Sequence, residues 1–108
     1  MRALLPNHLV SASASKDELV VPFALSLEVL DALEKGRGRL LGWEGWLRRS
    51  DGSLGHSVKH QGTVDLGGLL PDAAFALCRK TIAEAHREHG RAPEVLGSEL
   101  LFCITYDA

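Results

Sequence analysis

The chain has 108 residues, which is the span of one domain with no room for a second core. Apolar residues make up 45% and charged residues 24%, the balance of an ordinary globular protein. A net charge of −2 excludes a bulk electrostatic drive toward nucleic acid or anionic membranes, and no run approaches the ~20 apolar residues of a membrane span.

The N-terminus, Met1 to Val10 followed by Ser11-Ala-Ser-Ala-Ser15, has the small-residue end of a signal peptide. Pro6, Asn7 and His8 interrupt its apolar stretch and Arg2 is its one positive charge, so a cytoplasmic location is the expectation. The Ser/Ala stretch reads as a linker, giving a loose N-terminal arm over residues 1–17 and a single α+β domain over 18–108. Leu19-Val20-Val21 is a short β-prone run. Ser26 is placed to cap a helix running to about Lys35, with Leu25 and Leu30 as a hydrophobic staple and Gly36 as the C′ residue. Leu27, Leu30 and Leu33 form its apolar stripe.

A hairpin follows from Arg39 to His60, extending toward Thr63-Val64. Asp51-Gly52 between two alternating runs favours a two-residue type I′ turn, which needs φ > 0 at both central positions. Facing residues then sum to 103: Trp43 opposes His60, Glu44 opposes Lys59, Trp46 opposes Ser57 and Leu47 opposes His56. Leu41, Trp43, Leu47, Leu54, His56, Val58 and His60 would share the core face. Glu44, Trp46, Arg48, Ser57 and Lys59 would share the other, and a slip of one residue would reverse that assignment.

Gly67 and Gly68 break the chain before a helix with Pro71 in its first turn, Asp72 at the positive dipole end and Gly90 beyond its last turn. Phe75, Cys78, Ile82 and Ala85 recur at helical spacing, with Leu77 beside them, while Arg79, Lys80, Glu84 and Arg87 lie mainly toward solvent. Leu100-Leu101-Phe102-Cys103-Ile104 is apolar on both strand faces, as an interior strand should be. Cys78 and Cys103 sit within apolar stretches and read as reduced core thiols.

The resulting order, β-α-β-β-α-β, is similar to the split βαβ arrangement of ferredoxin-like folds. That resemblance implies two helices on one face of a four-stranded antiparallel sheet, with the other face open. It also makes the first strand central, where Pro22 would be costly because it has no N–H.

No catalytic or cofactor-binding motif is present. His56 and His60 lie four residues apart, two side chains along one strand face, but a zinc site needs about three or four ligands and the remainder are not supplied. They are the candidate proton-transfer groups of an alternative reading, a small dimeric enzyme or ligand-binding protein. His86 and His89 lack the His-Glu-x-x-His spacing and suit a helix C-terminus. Lys35, Arg37, Arg39, Arg48 and Arg49 raise a weaker nucleic-acid reading. Against it, the third strand of an RNA-recognition domain needs aromatics that Gly55 to His60 lacks. The leading expectation is a non-enzymatic interaction module without cofactor or metal. It would bind itself or another protein through the open face around Trp46, with Arg48, Glu44 and Lys59 beside it.

Overall fold

A computed structural model describes residues 5–62 and 66–107, so the Thr63-Val64 extension of the hairpin lies outside the described residues. The elements are α1 (Asn7–Ser11), β1 (Val20–Pro22), α2 (Phe23–Lys35), β2 (Arg39–Arg48), β3 (Leu54–His56), a 3-10 turn (Leu66–Gly68), α3 (Pro71–Arg91) and β4 (Glu99–Asp107).

The four strands form one antiparallel sheet in the order β1-β4-β2-β3. The α+β class holds, but the order is not the ferredoxin-like one, which makes the first strand central. The two long strands, β2 and β4, take the middle instead and pair from Arg39↔Asp107 to Arg48↔Glu99. β1 is three residues long and lies at an edge, so the missing N–H of Pro22 leaves no gap in an interior ladder. Leu100 to Ile104 are all buried in the central β4, because both faces of that strand are covered.

One face of the sheet carries α2 and α3. Val29, Leu30 and Leu33 of α2 and Phe75, Cys78 and Ile82 of α3 pack on Val21, Trp43, Leu47, Leu100, Phe102 and Ile104. Leu5 and Leu9 of the arm join the same core. Fully burying each such side chain contributes about 1.5–3 kcal/mol. The Arg79 side chain, 33% exposed, turns toward α2. Its guanidinium bridges Asp31 and Glu34 of α2 at 2.8 Å each and locks the two helices together.

Ser26 does not cap α2. The helix starts at Phe23, directly after the fixed φ of Pro22, and the Ser26 hydroxyl donates to the Phe23 carbonyl at 2.6 Å inside the first turn. Val29 rather than Leu27 completes the buried stripe with Leu30 and Leu33. At the other end Gly36 is the C-cap and Arg37 takes the left-handed position, with φ 60. Gly38 N–H then bonds Leu33 O and Arg37 N–H bonds Glu34 O, a Schellman closure. Left-handed geometry costs a residue with a Cβ about 1–2 kcal/mol. Arg37→Gly is therefore expected to stabilise the domain by about 0.5–1 kcal/mol, read as a higher urea midpoint at unchanged slope.

The hairpin turn differs from expectation by one residue. Gly52 N–H donates to Arg49 O (2.8 Å), Arg49 N–H donates to Ser53 O (2.9 Å), and the Asp51 carboxylate accepts from Ser53 N–H (2.9 Å). This is a three-residue loop with Gly52 alone at positive φ, +90; a type I′ turn would force Asp51 left-handed as well. The register becomes Trp46↔His56, Leu47↔Gly55 and Arg48↔Leu54. Every side chain of β3 changes face: His56 and Leu54 leave the core side, and the pairs Trp43–His60, Glu44–Lys59, Trp46–Ser57 and Leu47–His56 do not form. Val58 is 77% exposed rather than buried. On β2 an irregularity between Leu40 and Gly42 shifts the alternation, so Leu40 enters the core and Leu41 is only half-buried. Beyond that point Trp43 faces inward and Trp46 outward, because the alternation of a continuous strand survives whatever its partner does.

Candidate functional site

The sheet face opposite the helices holds a small apolar cluster of Val20, Leu101 and Cys103, with Ala14 and Trp46 packed on it. The N-terminal arm supplies Ala14, whose N–H donates to Val20 O at 2.8 Å. Ser13 fixes the bend: its hydroxyl accepts from Val20 N–H (2.9 Å) and donates to the Glu18 carbonyl (2.8 Å). Trp46 stands beside this cluster, half-buried, directly across from His56 on β3 and Leu101 on β4. The Trp46 and His56 rings lie 4.7 Å apart at 49°. The indole Nε1 is enclosed and has no hydrogen-bond partner among the described residues. An unsatisfied buried donor costs about 1–3 kcal/mol.

A polar group borders the indole. Glu44 sits opposite Cys103 in the ladder, and the carboxylates of Glu18 and Glu44 and the thiol of Cys103 all lie within 4.8 Å of one another. His56 Nδ1 is 3.7 Å from Glu44 Oε2. Oxygen, sulfur and nitrogen donors of this kind suit a divalent cation. The thiol keeps its proton, however. Burial, then the neighbouring Glu18 and Glu44, push its pKa up to about 12, and it donates to Glu18 Oε2 at 3.3 Å. A metal ion would have to displace that proton. Arg48 is committed to Glu99 across the strands at 2.8 Å, an exposed pair that contributes no more than about 1 kcal/mol.

Lys59 and His60 lie elsewhere. After His56 the chain leaves the ladder: Ser57 N–H donates to Gly45 O (2.9 Å), and Gly45 N–H donates to His60 O (2.8 Å). The loop between them is clasped by Glu94, from the segment after α3. Its carboxylate accepts from the Ser57 hydroxyl (2.6 Å), Val58 N–H (2.9 Å) and Lys59 N–H (3.2 Å), while Ser57 Oγ accepts from His60 N–H (2.8 Å). Burial works to raise the Glu94 pKa, but these hydrogen bonds outweigh it and hold the carboxyl below its ordinary value. His60 ends buried against α3, with Nδ1 3.9 Å from Glu88 Oε2. Burial lowers its pKa despite that carboxylate, so the ring is neutral at pH 7.

The four residues expected to share a contact face therefore divide. Trp46, Glu44 and Arg48 share it, Lys59 does not, and His56 joins them from the opposite assignment. Glu18 and Glu94 were not singled out by sequence, and Cys103 was read only as a core thiol, since none carries a local motif and each meets its partners through distant segments. His89 sits in the last turn of α3 as expected, and both His86 and His89 are engaged by neighbouring segments. His86 stacks on Phe23 (3.9 Å, 3°), and buried His89 places Nε2 3.0 Å from Ser98 O. Cys78 and Cys103 are free and buried. Among the described residues no helix is long and apolar enough to cross a membrane. Compared with protein families, curated proteins and solved structures, the chain matches none.

Proposed function

We propose that the chain is a non-enzymatic interaction module that binds a protein, either a second copy or a different partner, through the half-buried surface around Trp46, on the sheet face that the helices do not cover. The observation that supports this reading most is the indole itself. It is a large half-buried aromatic whose enclosed N–H has no acceptor among the described residues, and it stands on the face opposite α2 and α3. A partner that adds apolar area to the open part of the ring would complete its burial, which is how Trp anchors dominate interfaces. Glu18, Glu44 and Glu99 on the same side favour a protein surface over a phosphate backbone, and they count against the nucleic-acid reading.

Trp46→Ala in the full chain is expected to weaken self-association or partner capture by about 30-fold or more, the scale of a central anchor. Sedimentation mass and affinity capture measure the effect, and an unchanged far-ultraviolet spectrum shows that the fold is intact. An identical assembly mass and partner profile in the variant would remove the proposal.

A further inference from the structure

His60 and His89 meet where the chain after β3 packs on α3, with ring centroids 6.3 Å apart at 75°. The two residues are 6% and 8% exposed. Each ring has one enclosed nitrogen, His60 Nε2 and His89 Nδ1, without a hydrogen-bond partner among the described residues. His89 Nε2 is 3.0 Å from the Ser98 carbonyl, an acceptor, so that nitrogen holds the proton of the neutral ring and Nδ1 is a bare lone pair. The arrangement suits two neutral imidazoles. An imidazolium donates from both nitrogens, so a charged His60 would seal an N–H at Nε2 with nothing to accept it, beside a second histidine. Glu88 Oε2 is 3.9 Å from the other nitrogen, beyond hydrogen-bond length, and its side chain is half-exposed.

His60 also ties its segment to the sheet, since its carbonyl accepts from Gly45 N–H on β2 and its N–H donates to Ser57 Oγ. Residues 57–59 have a separate tether in the Glu94 carboxylate. Burial is the largest influence on the His60 ring and disfavours its charge. Glu88 of α3 acts against burial, His89 of α3 with it, Glu94 beyond α3 against it, and Lys59 of its own segment with it. We propose that His60 is an acid-operated latch: protonation draws its ring out from α3 and lifts residues 60–62 off β2, while Glu94 keeps residues 57–59 in place. The released edge of β2 is the Gly45 N–H. The sign follows from linkage. The closed ring binds its proton below the ordinary value of 6.5, whereas the open ring binds it there. Closure is therefore complete above pH about 6.5, and each unit below that favours opening by up to tenfold while the closed ring stays neutral. The Glu94 carboxyl is held below 4.5, so its hydrogen bonds are lost only as pH falls through that lowered value. Between those limits the latch opens and the clasp holds.

The test is amide hydrogen exchange of the full chain, followed by NMR from pH 7.5 to 5.5, with each rate divided by that of an unstructured peptide at the same pH. Protection of the Gly45 amide is expected to fall several-fold, about tenfold at most, while the amides of Ser57, Val58 and the β2–β4 ladder keep theirs. The His60 ring, followed by its carbon shifts, should titrate below 6.5. His60→Gln keeps a neutral polar side chain and should abolish the response at Gly45; the measurements on the parent chain decide the matter should that variant not fold. Constant Gly45 protection, a loss shared equally by the ladder amides, a His60 ring titrating at or above 6.5, or an acid response retained in His60→Gln would overturn the proposal. Trp46→Ala should leave the response unchanged, so failure here and failure of the sheet-face reading are separately visible.

Discussion

Gly62→Ala is expected to lower stability by about 3 kcal/mol or more, the combined scale of left-handed strain and overpacking. Gly62 has φ +83, a region in which a Cβ is strained, and a Cβ there would also overlap the Trp43 carbonyl oxygen and crowd its indole. That oxygen belongs to the backbone of the central strand β2, so it cannot rotate aside as a flexible side chain would. The segment from Ser57 to Gly62 would have to lift from the sheet, weakening the bond from Gly45 N–H to His60 O and the Glu94 clasp. Gly90→Ala is the control. It lies in α3 with nothing within 4 Å of its added carbon, and it should raise stability by about 0.5–1 kcal/mol. Urea midpoints measure both. A Gly62→Ala midpoint equal to the parent's would mean that the close approach to Trp43 is absent.

Both thiols are expected to resist alkylation at pH 8 by about a thousandfold relative to an unfolded control. Burial pushes the Cys78 thiol from 9.0 up to about 12, and burial with the Glu18 hydrogen bond does the same for Cys103. Each unit of that rise cuts the reactive thiolate tenfold, and access requires opening of the core. The sign for stability follows. Folding favours the protonated thiols, so their contribution is complete below pH about 9 and is lost progressively as pH rises from about 9 to about 12. Iodoacetamide labelling followed by mass spectrometry distinguishes the two sites. Rapid labelling of Cys103 in the folded chain would show that the arm carrying Ala14 and Glu18 does not seal that face.

These two predictions rest on kinds of information that the sequence holds very unequally. The left-handed demand at Gly62 arises because two segments separated by the hairpin meet backbone to backbone, and nothing near Gln61-Gly62 announces it. The burial of Cys78 follows from helical spacing with Phe75 and Ile82. The burial of Cys103 follows from a run that is apolar on both faces. Asp51-Gly52 located the reversal but not its type, since both turn forms accept glycine at positive φ. The choice fell to the form that spares Asp51.

Local periodicity alone determined α3 apart from its end, which runs through Gly90 to Arg91 instead of stopping before that glycine; it also determined the interior character of Leu100 to Ile104 and the opposite orientation of Trp43 and Trp46, because each depends only on neighbours a few positions away. Strand order, the β3 register, the Glu94 clasp and the Glu18–Glu44–Cys103 group were decided by tertiary structure. The β3 register follows the three-residue loop, whereas the others join segments tens of residues apart, 37 in the case of Ser57 and Glu94. Which distant strand pairs with which is settled by matching lengths and buried faces over the whole sheet. That matching sends Pro22 to an edge, turns His56 toward Trp46, and seats His60 beside Glu88.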